Sequence, residues 1–277
     1  MPPELRLRIV SGAILALIVL VATWYGGLAF RLLSSLIALL VYYEWSTIIR
    51  LPREDVRANA IGWAGQAAIA IATISGETDY AVGLLLVSAV AAGAFILLRG
   101  GNWWFPLGVV YAGLTGISLA EIRGDNELGL ISMLFVFAIV WATDIFAYFI
   151  GRAIGGPKLA PRISPGKTWS GAVGGAISAV VAGVALAFAF FPGTGWRVAA
   201  VALLLSVCSQ AGDLFESFIK RRFAVKDSSH LIPGHGGVMD RVDGLIFACF
   251  ATFLFAIILT LVKGAETASL GRLLFGV

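Results

Sequence analysis

The sequence predicts an all-α, polytopic integral membrane protein of about nine transmembrane helices. Three observations predict it. Mean hydropathy is +0.93 over 277 residues, with 59% of the chain hydrophobic and 13% charged. Apolar runs of roughly 20 residues recur, the length that crosses a bilayer core as helix. The runs do not alternate apolar and polar residues as barrel strands do, and inside hydrocarbon only helices or closed barrels satisfy their own backbone groups.

In chain order the expected spans are 9–25, 28–48, 58–75, 80–98, 103–121, 128–150, 170–191, 196–219 and 244–262. The first follows Arg6 and Arg8 as a signal peptide would, but it ends in Trp24-Tyr25-Gly26-Gly27 without a small-residue cleavage site, so it reads as an anchor. Trp24, Tyr25, Tyr42, Tyr43, Trp45, Trp103, Trp104, Trp169 and Trp196 cluster near the expected ends, where interfacial aromatics belong. Gly171 and Gly175 form a GxxxG in the seventh span, a pattern of close helix packing. Cys208 and Cys249 lie inside apolar runs without metal-ligand spacing and read as small core residues.

Lysine and arginine are distributed unevenly. Fifteen of the 20 fall on the side of the amino terminus and five, Arg31, Arg123, Arg197, Lys263 and Arg272, on the other. The positive-inside rule then places the amino terminus and both large polar loops, 151–169 and 220–243, in the cytoplasm at the cell (inner) membrane. Two regions are expected: residues 1–125 as scaffold and lipid contact, and 126–277 as the catalytic region. The first five spans hold few ionisable groups. Glu44, at the end of the second, reads as a solvated interfacial acid.

Three polar constellations stand out. On the sixth span, Asp144, Tyr148 and Gly151-Arg152 share one helical face. A carboxylate there is costly unless it is paired, with Arg152 or Lys167, or binds a cation. In the loop that follows, Lys158, Arg162 and Lys167 converge with hydroxyls such as Ser164 just before a helix begins, an arrangement suited to phosphate. Charge alone would also make this a topogenic loop. Gly166-Lys167-Thr168 lacks the glycine spacing and preceding strand of a Walker loop.

The third constellation runs from Gln210 to Gly244 and holds both histidines of the chain. Ser206, Ser209, Gln210, Asp213, Glu216, Ser217 and Lys220 draw a polar stripe down an otherwise apolar helix. Asp213 lies inside the span and needs a cation. Asp240 and Asp243 stand at the mouth of the last span, where the helix dipole alone favours acids. The Pro233-Gly234-His235-Gly236-Gly237 turn is expected to carry Asp240 back towards Asp213. Two such carboxylates amid Lys220, Arg221, Lys226 and Arg241 suit Mg²⁺, which binds through one or two carboxylates plus substrate phosphates. His235 reads as a hydrogen-bond donor.

The run Ser217-x-Ile219-Lys220-Arg221-x₄-Lys226-Asp227-x-Ser229-x₂-Ile232-Pro233-Gly234-His235-Gly236-Gly237-Val238-x-Asp240-Arg241-Val242-Asp243 resembles the signature of phosphatidate cytidylyltransferases. Asp144-x₂-Ala147-Tyr148-x₂-Gly151-Arg152 and Lys158-Leu-Ala-Pro161-x-Ile163-Ser164-Pro165-x-Lys167-Thr168-Trp169 are similar to that family's other segments. The resemblance covers roughly residues 140–245. It departs at Ser170, where the family usually has glutamate.

The resemblance implies transfer of CMP from CTP to phosphatidic acid, giving CDP-diacylglycerol and pyrophosphate, with Mg²⁺ and a second ion of unassigned identity. It implies metal on Asp213 and Asp240, with Asp144 and Asp243 as supporting carboxylates. Lys158, Ser164, Lys167, Ser217, Lys220, Arg221, Lys226 and Arg241 would hold substrate, and Asp227 and His235 would order the loop. The expected partners are CTP, phosphatidic acid, membrane lipids and a second copy of the chain, with no nucleic acid. Two alternatives stay open: a CTP-using transferase acting on another lipid, such as a CDP-archaeol synthase, and an anion or lipid transporter with a coupling ion.

Overall fold

The helix boundaries follow local chemistry that the sequence spells out. Asp55 caps the fourth helix, its carboxylate accepting from the N–H groups of Arg57 at 3.0 Å and Ala58 at 2.9 Å. Asn126 and Thr168 do the same for two later helices, accepting from Gly129 and Gly171 at 2.8 and 3.1 Å. Each satisfies a donor that the first helical turn leaves without a partner.

The computed structural model describes residues 3–192, 196–263 and 274–275, with side chains described from Ile9. Of the basic residues used for orientation, the side chains of Arg6, Arg8, Lys263 and Arg272 lie outside the described part. Ten helices are present among the described residues: α1 (Pro3–Tyr25), α2 (Gly27–Ile48), α3 (Leu51–Glu54), α4 (Val56–Ser75), α5 (Thr78–Arg99), α6 (Trp104–Arg123), α7 (Glu127–Ile154), α8 (Trp169–Phe190), α9 (Trp196–Arg222) and α10 (Met239–Lys263). Seven of them, α2 and α5 to α10, are long and apolar enough to cross a membrane. The described apolar part of α1, Ile9–Tyr25, is shorter, and α4 is alanine-rich with Asn59 and Gln66 inside it.

Among the described residues the chain is helical with one small sheet. Within the loop 151–169, β1 (Lys158–Ala160) pairs antiparallel with β2 (Ser164–Thr168), Lys158 opposite Thr168 and Ala160 opposite Ser164. The turn is closed by Ile163 N–H to Ala160 O at 3.1 Å, with Pro161 and Arg162 at its corners. Proline presets the first corner of such a turn, and Pro161 does so here.

Two compact units form, Met1–Gly124 with Arg222–Arg241, and Asp125–Arg221 with Val242–Val277. In the first, α2 packs on α4 and α6, and α4 on α5. Its centre is aromatic. Trp45 is fully buried, donates from Nε1 to Trp104 O at 2.9 Å and stacks obliquely on Tyr111 with ring centroids 5.0 Å apart. Gln66 is buried but satisfied, donating to Val109 O at 2.8 Å. The carboxyl end of α1 is closed by Arg123, which donates to Thr23 O, to Trp24 O at 3.1 Å and to Gly124 O at 3.1 Å. Gly26 turns the chain there at φ 62°, and a Cβ on it would strike the Arg123 guanidinium.

In the second unit α7 packs tightly on α8. A Cβ on Gly171 would come within 2.6 Å of Ala147 O, and one on Gly175 within 2.7 Å of Thr143 O. Small residues at four-residue spacing therefore let the two backbones touch. Thr143 Oγ1 meets Ser206 Oγ at 2.8 Å, tying α7 to α9, and Gln210 Nε2 donates to Ala172 O at 3.2 Å, tying α9 to α8. In a setting without water these hydrogen bonds satisfy groups that would otherwise be costly to bury.

Candidate active site

Polar residues of α7, the hairpin and α9 open onto one cavity of about 630 Å³ in the second unit. Asp144, Tyr148 and Arg152 line it from α7, Lys158 and Lys167 from the hairpin, and Gln210 and Asp213 from α9. That volume is in the range of small-molecule sites. The hairpin matters here because it converts loop residues into a fixed wall. Its base is fastened by Trp169 N–H to Pro157 O at 3.0 Å, and by Ser170, whose hydroxyl donates to Gly155 O and meets Thr168 Oγ1 at 3.0 Å. Ser170 thus has a hydrogen-bonding role joining the end of α7 to the start of α8.

Lys167 Nζ stands 2.5 Å from Asp213 Oδ2, and Ser217 reaches Asp213 Oδ1 at 3.4 Å from one turn along α9. Arg152 does not pair with Asp144; its guanidinium donates to the Tyr148 hydroxyl at 2.9 Å. Asp144, Asp213 and Asp243 are close enough to repel one another, with Lys167 acting against that repulsion. Asp243 Oδ1 accepts from the N–H of Gly244 at 2.8 Å. A Cβ at Gly212 would come within 2.5 Å of Asp243 O, so glycine lets α10 lie against α9 and brings Asp243 close.

The other expected residues fall elsewhere. Lys220 pairs with buried Glu216 at 2.5 Å. Ser164, on β2, is not among the residues lining the cavity, and Arg221 and Lys226 are exposed. Asp227, His235, Asp240 and Arg241 belong to the first unit. There His235 Nδ1 meets Ser11 Oγ at 2.9 Å, and Arg241 Nε donates to His235 O at 3.1 Å. Asp240 Oδ2 accepts three hydrogen bonds, from Ser228 N at 3.0 Å, Ser228 Oγ at 2.9 Å and Gly237 N at 2.8 Å. Asp240 therefore organises its own loop.

Glu44 corrects the sequence reading. It is wholly buried and hydrogen-bonded, where a solvated acid was expected. Its burial left no sequence signal, because its partners lie more than 180 residues away.

Asp144, Asp213 and Asp243 offer hard oxygen donors with negative charge in excess of Lys167, which fits a divalent cation. Among the described residues no group of three or more His, Cys, Asp or Glu side chains is placed to hold a metal ion. Mg²⁺ is usually bound through only one or two carboxylates, with waters and substrate phosphates completing its shell.

The model of the cytidylyltransferase family matches residues 6–260. The chain belongs to that family. It is 46% identical over 259 residues to a phosphatidate cytidylyltransferase of Brucella abortus (strain 9-941), covering 92% of this chain and 94% of the relative. It is 34% identical over 291 residues to one of Haemophilus influenzae, covering 92% of this chain and all of the relative. A Bacillus subtilis phosphatidate cytidylyltransferase matches over 156 residues at 39% identity, 56% of this chain. As a member of this family the chain has an expected use for a cavity lined by both acids and lysines.

Proposed function

We infer that the protein transfers CMP from CTP to phosphatidic acid, giving CDP-diacylglycerol and pyrophosphate. The observation that carries this is one cavity holding Asp144, Asp213, Lys158 and Lys167 in a chain that matches phosphatidate cytidylyltransferases over 92% of its length. An oxygen of the lipid phosphate attacks the α-phosphorus of CTP. The new P–O bond forms as the bond to the β-phosphate breaks, and pyrophosphate leaves with the electron pair. The nucleophile is already ionised at neutral pH, so no general base is needed.

Such a transfer is mainly a matter of placing anions and neutralising charge. Lys167 and Lys158, on the hairpin wall, are the groups for the triphosphate. Ser217, Lys220, Arg221, Lys226 and Arg241 are further substrate contacts that the family resemblance supports. Asp213, with Asp144 and Asp243 near it, would hold Mg²⁺, and the resemblance adds Asp240 and a second ion. The bound cation would draw negative charge off the reacting phosphates. On α7, Ile145, Tyr148 and Phe149 are 52%, 58% and 62% exposed, an apolar face suited to acyl chains.

The nine apolar runs and the lysine and arginine bias support nine spans with the amino terminus in the cytoplasm. The bacterial relatives support the inner membrane, and the family resemblance supports a homodimer. The test is purified protein with labelled CTP and a panel of lipid phosphates. Label should enter phosphatidic acid without any ion gradient. Labelling only of an ether-linked lipid phosphate would assign another lipid, and no labelling at all would reject the transferase.

A further inference from the structure

Glu44 is the one acid of α2, and it is 0% exposed. Its carboxylate accepts four hydrogen bonds from one distant segment. Oε1 takes Ser229 Oγ at 2.5 Å and Val238 N at 2.8 Å, and Oε2 takes Ser228 Oγ at 3.1 Å and Met239 N at 2.6 Å. Each oxygen thus binds one hydroxyl and one backbone amide. The two serines lie at the start of the loop and the two amides at its end, so one side chain closes the loop on itself.

The amides are also those at the start of α10, which begins at Met239. First-turn N–H groups have no partner inside the helix, and a carboxylate there is favoured by the helix dipole. Glu44 therefore caps α10 from another helix. It is linked to Asp240 as well, because Ser228 Oγ lies within hydrogen-bonding reach of both carboxylates. Gly237 leaves room for this junction, since a Cβ on it would run into Ser228 Oγ and Glu44 Oε1.

A buried carboxylate in a span is costly, and the packing of α2 alone would be served as well by an apolar residue. We propose that Glu44 is a positioning residue for the cytidylyl transfer: it holds residues 228–239 and the first residues of α10, and so sets where Asp240 stands. This rests on the transferase reading above. Glu44 touches no reacting atom and acts through the loop.

The experiment uses full-length protein in detergent, as wild type, Glu44→Gln, Glu44→Ala and the pair Ser228→Ala with Ser229→Ala. Two quantities are read: amide hydrogen exchange over residues 226–242, and kcat with KM for both substrates. In Glu44→Gln, exchange should quicken at Val238 and Met239 and stay as wild type in α4 to α6. Its kcat should fall by about 10²-fold, the usual effect of a small misplacement, with each KM nearly unchanged. The serine pair should fall between wild type and Glu44→Gln, and it keeps the test decisive if Glu44→Ala does not fold. Wild-type exchange and kcat per folded molecule in Glu44→Gln would overturn the proposal. If wild type itself makes no CDP-diacylglycerol, the transferase reading fails, and the exchange data alone then decide whether Glu44 holds the loop.

Discussion

Lys167 Nζ lies 2.5 Å from Asp213 Oδ2, joining the hairpin before α8 to the polar stripe of α9. Both side chains are about a third exposed, at 27% and 32%. A pair so open to solvent contributes only about 0–1 kcal/mol to stability. It does keep an ammonium group at the cavity beside the carboxylates.

Lys167→Met should therefore leave thermal stability nearly unchanged and lower kcat/KM by about 10²–10³-fold, the usual loss when one preorganised charge-stabilising group is removed. Steady-state kinetics beside a melting curve check this. Equal losses of activity and stability would make Lys167 a structural residue.

Asp144 lines the same cavity, and the proposed mechanism makes it a supporting acid. Replacing it with asparagine relieves its repulsion of Asp213 and Asp243 but removes one oxygen charge from the cation. The Mg²⁺ concentration for half-maximal activity should rise about 10–100-fold, as for residues that support a metal ligand. Titration of activity with Mg²⁺ after chelation reads it directly. An unchanged midpoint would place the ion away from Asp144.

Gly175 has no room for a side chain, because its Cβ position is 2.7 Å from Thr143 O. Gly175→Val should destabilise the α7–α8 contact by about 1–3 kcal/mol through overpacking. Activity should fall with it, since Asp144 stands on α7 and Lys167 leads into α8. Thermal unfolding in detergent measures the loss, and a wild-type midpoint would mean that the helices part without cost.

Much of this was legible in the sequence. Apolar runs of membrane length gave the long helices, and the three- and four-residue spacing of Ser206, Gln210 and Asp213 marked the face of α9 that meets its neighbours. The hairpin was less legible. Ser-Pro-Gly-Lys-Thr does not alternate like a strand, and only Pro161 at the turn corner hinted at pairing. Glu44 was not legible at all, since burial of a lone acid depends on donors 184–195 residues away. Asp240 shows the same limit, because a motif fixes residue identity but not which oxygen accepts from which amide.

Arg123→Met should isolate stability from chemistry. The guanidinium donates to Thr23 O and Trp24 O at the end of α1 and to Gly124 O, and it is none of the residues assigned to CTP. Charged hydrogen bonds each contribute about 1.5–3 kcal/mol, so a loss of that order is expected in a melting experiment. Turnover per folded molecule should match wild type.

The central claim is that Asp213 serves a Mg²⁺-dependent transfer of CMP. The most direct measurement is CDP-diacylglycerol formed from CTP and phosphatidic acid by purified wild type and Asp213→Asn, each with Mg²⁺ and with chelator. Wild type should form product only with Mg²⁺, and Asp213→Asn, inserted and folded, should form at least about 10²-fold less. Product at the wild-type rate from Asp213→Asn, or from wild type in chelator, would contradict the account.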